Sequence, residues 1–321
     1  MTASPLDDIR DLLARLPPPN PAAAGELRKK LAARAEVAPT GELAEQAGWL
    51  AEWSGKPAPA IRRPLVAIFA GTHGIASHGV SSRPASATRE LVDRCAAGDA
   101  AISRLCREFD LGLKVFDLAL DVPTADFTAA SALDEKGCAA TMAFGMEALA
   151  DGTDLLCLGA FGVGGSTAAA AILSALHGGS AKDWTPPAGD AVDIRRVNAV
   201  EAALALHREG MADPLEILRR LGGREFAAIA GAVVAARFQS VPVVLDGPAA
   251  LAAAAVLHRA RPDAVAHCML AAPASMPRLD KLAQAMGLEA VLARPGGVRS
   301  QEPLDGARAV AMLKAAAAVA G

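Results

Sequence analysis

Residues 154–171 read DLLCLGAFGVGGSTAAAA. A continuous apolar run, a glycine turn, Ser166-Thr167 and a tract of alanines follow one another: strand, tight turn, helix. A strand with no polar alternation is buried on both faces, which is the habit of parallel sheets covered by helices. Outward from this stretch the same rhythm recurs. Short apolar runs stand at LVAIFAG (65–71), LKVFDLAL (113–120), VPVVLD (241–246) and AVAHCML (264–270), and Ala-rich helical stretches separate them. The alternation predicts an α/β fold: a Rossmann-like parallel sheet with helices on both faces.

The first sixty residues lack strands. Three amphipathic stretches, Pro5–Leu16, Ala22–Val37 and Gly41–Trp53, are separated by LPPPNP (16–21) and Pro39-Thr40. A Lys56-Pro57-Ala58-Pro59 linker closes them, and the C-terminal LDGARAVAMLKAAAAVAG reads as a further helix. The expected organisation is residues 1–60 as N-terminal helices of a small domain, 61–290 as the α/β domain, and 291–321 returning to the small domain. Asp213-Pro214 starts a helix and Gly222-Gly223 stops it. A Gly/Pro-rich loop near Gly178–Ala191 reads as a surface flap. Trp49 and Trp53 are expected against the C-terminal helix; Trp184 is either a loop anchor or a cover for a flat ligand.

Composition removes several classes. Hydrophobic residues make up 52% and charged residues 21%, which excludes a disordered chain. With a net charge of −3, 3% aromatics and no Tyr, neither the basic stripe nor the stacking platforms of a nucleic-acid binder are present. No run of ~18 residues is free of charge, Gly and Pro, so no membrane span is expected, and the N-terminus lacks the pattern of a signal peptide. These features point to a cytoplasmic chain. Five single cysteines without CxxC read as reduced thiols, with Cys157 and Cys268 in the core. The six histidines show no ligand spacing, so no metal site is expected.

Chemically, Gly162, Gly164 and Gly165 allow close backbone approach, and Ser166 and Thr167 stand where a helix presents free N–H groups. This is an anion site built from amide donors and the positive helix end. No Gly-Lys-Ser/Thr makes it a nucleotide triphosphate loop. The third glycine of a dinucleotide fingerprint is replaced by Thr167. A glycine turn after a strand is also ordinary architecture; the functional reading is phosphate on a small ligand.

From here the sequence resembles the nicotinate-nucleotide–dimethylbenzimidazole phosphoribosyltransferase family of cobalamin lower-ligand activation. The blocks run in order: Ala70–Ile75 with Val80-Ser81, Pro84 and Thr88; Gly98–Ile102 with Asp117; Gly159–Thr167; Asp213–Gly231 with Gly222, Gly223 and Glu225; and Val243–Gly247. The resemblance implies transfer of phosphoribose from nicotinate mononucleotide to an azole nitrogen of dimethylbenzimidazole or a related base, releasing nicotinate, with no metal or redox cofactor. It implies a phosphate and nucleotide site at Gly162, Gly164, Gly165, Ser166, Thr167 and Arg196, and a base pocket at Ser81, Ala85, Ala160 and Met276. It also implies a homodimer as the assembly.

Several polar residues of the family pattern are replaced: its loop Glu by Ala160, its Asn by Gly165, its Asp by Thr72, its Gln by Ala85. The segment that carries the family's base reads Arg299-Ser300-Gln301-Glu302-Pro303-Leu304-Asp305-Gly306-Ala307. There Glu302 is the candidate catalytic base, and Asp305 the second. Two readings follow: an active phosphoribosyltransferase, or a catalytically weak or inactive paralogue that binds nucleotide or base, or acts as partner subunit in a heteromer. A nicotinamide-dinucleotide oxidoreductase would rest on the glycine turn alone.

Overall fold

The computed structural model describes residues 4–34, 41–296 and 302–321. The expectations placed on Val37, Pro39-Thr40 and Arg299–Gln301 therefore lie outside the described residues. Helices α1 (Asp7–Ala14), α2 (Pro21–Ala33) and α3 (Glu42–Ser54) precede β1 (Pro64–Ala70). Next come α4 (Ala87–Ala96), α5 (Ala101–Glu108), β2 (Gly112–Asp117), α6 (Glu135–Met146) and β3 (Leu155–Phe161). Helices α7 (Gly165–His177), α8 (Ala181–Trp184), α9 (Asp190–His207), α10 (Pro214–Leu221) and α11 (Arg224–Phe238) lead to β4 (Val243–Leu245). The chain ends with α12 (Gly247–Ala260), β5 (Cys268–Leu270), α13 (Pro277–Ala285) and α14 (Leu304–Ala320).

All strand pairs are parallel, in the order β2-β1-β3-β4-β5. Each expected run overlaps a strand, but three strands are shorter than read by two residues or more. Ala119 takes φ +58° and turns the chain out of β2, and residues 262–265 form a 3-10 turn before β5. Side chains alternate between the faces. Ala67, Phe69, Leu156, Leu158, Val243 and Leu245 join one core with α6, α7, α10, α11 and α12. Val66, Ile68, Leu155, Cys157 and Val244 join another with α4, α5 and α14.

The terminal helices divide between these layers. Leu6, Ile9, Leu13 and Leu16 of the α1 region sit in the first core. Leu27 and Leu31 of α2 cluster instead with Ala47 and Ala51 of α3 and with Ala320. A small helical domain from the chain ends would be built on this second group. Trp53 meets Arg237, whose guanidinium lies 4.1 Å from its ring centre, and His267 at 6.0 Å, while Trp49 packs on the second core, to which α14 contributes. Trp184 is a loop anchor: it is buried, donates its indole N–H to the Gly178 carbonyl at 2.8 Å, and lies under Arg278.

Helices α6 and α11 touch backbone to backbone. A Cβ on Gly145 would overlap the Ala228 carbonyl oxygen, and one on Gly231 would overlap that of Met142. Neither obstacle is a flexible side-chain end. Gly231→Ala is therefore expected to destabilise the fold by about 3 kcal/mol, the upper range of overpacking. A denaturant midpoint unchanged from the parent would contradict this packing.

Candidate functional site

In this strand order the chain reverses direction across the sheet between β1 and β3, and ligands of open α/β sheets bind beyond the strand C-termini at such a point. A cavity of about 730 Å³ opens there, within the range of small-molecule sites. Gly162, Gly164, Gly165 and Ser166 form one wall, and Ser81, Ala160, Arg196 and Glu302 also face it. Eight of the eleven residues singled out from the sequence are thus brought together.

The glycine wall works through its backbone. Gly164 takes φ +96°, and a Cβ there would stand 3.1 Å from Ile75 and 3.2 Å from His73. The N–H groups of Gly165 and Thr167 turn inward, to the carbonyls of Gly162 and Gly164. Among the described residues, those of Gly164 and Ser166 have no acceptor, so two donors stand at the start of α7 on the cavity wall. Thr88 Oγ1 accepts from the Val163 N–H at 3.1 Å and fixes the turn.

The remaining three candidates lie elsewhere. Thr167 is fully buried, because one helical step rotates it by about 100° from Ser166. Ala85 is exposed on the turn before α4. Met276 is the N-cap residue of α13, its carbonyl accepting from Asp280 N–H, and its side chain packs on the first core. The wall expected from Met276 is supplied by Ala272–Ser275. Arg196 faces the cavity with part of its guanidinium engaged: Nε donates to the Val80 carbonyl at 2.7 Å and Nη1 to that of Pro186 at 2.9 Å.

Two acidic groups line the same space as Glu302 without having been read as site residues. Asp246 follows β4, and burial pushes its carboxyl up to about 7, against the pull of the Gly306 N–H. Glu225 lies in the first turn of α11, with Oε1 2.5 Å from His73 Nε2 and both side chains 1% exposed. Gly71, Gly162 and Gly223 press on this pair so closely that a Cβ on any of them would crowd it. Glu225 stood inside a quoted motif, and His73 in another; their pairing across 152 positions had no local signal. Glu225→Ala leaves His73 buried without its hydrogen-bond partner and is expected to cost roughly 1–3 kcal/mol. Urea unfolding checks it, and a loss below 1 kcal/mol would show the pair to be unimportant.

Glu302 is largely buried, its side chain 7% exposed. Oε2 accepts from the Ile102 N–H at 2.7 Å, and Arg94 lies 3.7 Å from Oε1. Asp305, the second candidate, lines the cavity as well, with its carboxylate accepting from the Gly296 N–H at 2.8 Å and from Arg308.

Comparison with known proteins gives a consistent result. A phosphoribosyltransferase family model matches residues 16–321. The nicotinate-nucleotide–dimethylbenzimidazole phosphoribosyltransferase of Rhizobium meliloti (strain 1021) is 51% identical, over 99% of this chain and 95% of its own. That of Sinorhizobium fredii is 50% identical, over 100% of this chain and 96% of its own. The crystal structure of the enzyme of the same name from Thermus thermophilus superposes with a TM-score of 0.81 at 27% identity, covering 94% of this chain and 96% of that one.

Proposed function

The chain belongs to the nicotinate-nucleotide–dimethylbenzimidazole phosphoribosyltransferase family, and from that premise we propose how its cavity performs the transfer. The enzyme is a pentosyltransferase of cobalamin synthesis: phosphoribose leaves nicotinate mononucleotide and joins dimethylbenzimidazole, giving α-ribazole phosphate and nicotinate. The observation that carries our account is one cavity with free amide donors on one wall and carboxylates on another. The 5′-phosphate sits on the Gly164 and Ser166 amides at the positive end of α7, with Arg196 beside it. Held there, C1′ is presented to the acceptor at fixed distance.

The bond from C1′ to the pyridinium nitrogen breaks, and its electron pair neutralises the ring, so the leaving group needs no acid. The acceptor nitrogen bonds C1′ from the opposite face while its partner nitrogen gives a proton to Glu302. Ser81, Ala160 and the Ala272–Ala274 wall suit a flat apolar acceptor. The assay is direct: pure protein with nicotinate mononucleotide and dimethylbenzimidazole, followed by nicotinate release. No release at any pH between about 6 and 9, the range in which a catalytic base is poised, would sink the account. Full-length identity near one half to named enzymes favours this over an inactive paralogue. Among the described residues no helix is long and apolar enough to cross a membrane. Our reading adds a homodimer working in the cytoplasm.

A further inference from the structure

Two helices at this site begin with residues that cannot cap them. The N-cap of α14 is Pro303, and that of α5 is Ala100; neither offers a side-chain acceptor. Both starts are instead served from a distance. Asp246, just beyond β4, accepts from the Gly306 N–H in the first turn of α14 at 2.5 Å. Glu302, just before α14, accepts from the Ile102 N–H in the first turn of α5 at 2.7 Å. Orphan amides of a first turn need an acceptor of this kind. The two caps form a chain: β4 holds α14, and the residue leading into α14 holds α5.

We propose that Asp246 is a positioning residue for the transfer, one that fixes the start of α14 and through it the place of Glu302 in the cavity. The same turn is also packed tightly onto the sheet, so a lost cap has a defined geometry to disturb. A Cβ on Gly306 would overlap Cys157 Sγ and lie 3.0 Å from Asp246 Oδ2, so this turn is pressed onto β3 and the Asp246 carboxyl together. Pro303 is pressed onto Gly159 of β3 in the same way, with a Gly159 Cβ 2.7 Å from its ring. The groups facing the Asp246 carboxyl are uncharged or acidic: the Gly306 amide, the Cys157 thiol and Asp305. What the Gly306 N–H needs is an acceptor oxygen, and the carboxyl of Asp246, which burial raises to about 7, supplies one in either protonation state.

The inference rests on Glu302 being the proton acceptor, and its test separates the two claims. Asp246→Asn keeps an acceptor oxygen and loses the acid; Asp246→Ala loses both. Asp246→Asn is expected to keep kcat within about threefold of the parent, whereas Asp246→Ala lowers kcat at least tenfold with KM for nicotinate mononucleotide little changed. Hydrogen exchange of the first turn of α14 is expected to quicken in Asp246→Ala and not in Asp246→Asn. Equal collapse of kcat in both variants would make Asp246 a proton carrier and overturn the positioning role. Parental kcat or unchanged exchange in Asp246→Ala would overturn it as well. The exchange measurement reads the anchor even if Glu302→Gln turns over normally, an outcome that would count against Glu302 and not against the cap.

Discussion

Glu302→Gln is expected to lower kcat by about 10²- to 10⁴-fold, the usual share of a general base, while KM for nicotinate mononucleotide moves little. The amide is the same size and keeps an oxygen for the Ile102 N–H, so α5 stays capped and the fold is preserved. What it lacks is basicity toward the azole proton. The loss should shrink with acceptors whose partner nitrogen carries no proton to lose, such as an N-alkylated benzimidazole. Steady-state nicotinate release with both acceptors checks this. A loss below tenfold would move the proton to another group on the wall.

Gly164→Val should abolish detectable binding of nicotinate mononucleotide. The substitution acts twice. It forces a β-branched residue to φ +96°, where side chains with a Cβ rarely sit, and it drives that Cβ against Ile75 and His73. Relief of either strain moves the amides that receive the phosphate. Isothermal titration with nicotinate mononucleotide, alongside circular dichroism to confirm folding, measures the effect. A folded variant with parental affinity would show that the phosphate binds elsewhere.

What the sequence revealed was what local chemistry encodes. Five apolar runs marked five strands, and the bend at Gly162–Gly165 announced a tight turn with free amide donors, because burial on both faces and positive φ leave direct traces in residue type. Ser81, Ala160 and Glu302 were placed through resemblance, and the structure sets all three on the cavity. Thr167, Ala85 and Met276 stand away from the cavity wall, because adjacency in sequence hides rotation about a helix and the course of a turn. The His73–Glu225 pair and the two remote caps had no signature at all. A buried partner 152 positions away, or an aspartate that serves a helix starting 58 residues later, exists only once the sheet has brought them together.

Among the described strands the interior strand β1 comes first in the chain, and its neighbours β2 and β3 both come later. The wall that carries Glu302 comes last, with α14 docking on α3 and β3. The glycine turn that opens α7 is therefore made well before the segment that carries Glu302. Until α14 docks, the apolar face that Val310 and Leu313 cover in the second core stays open to solvent.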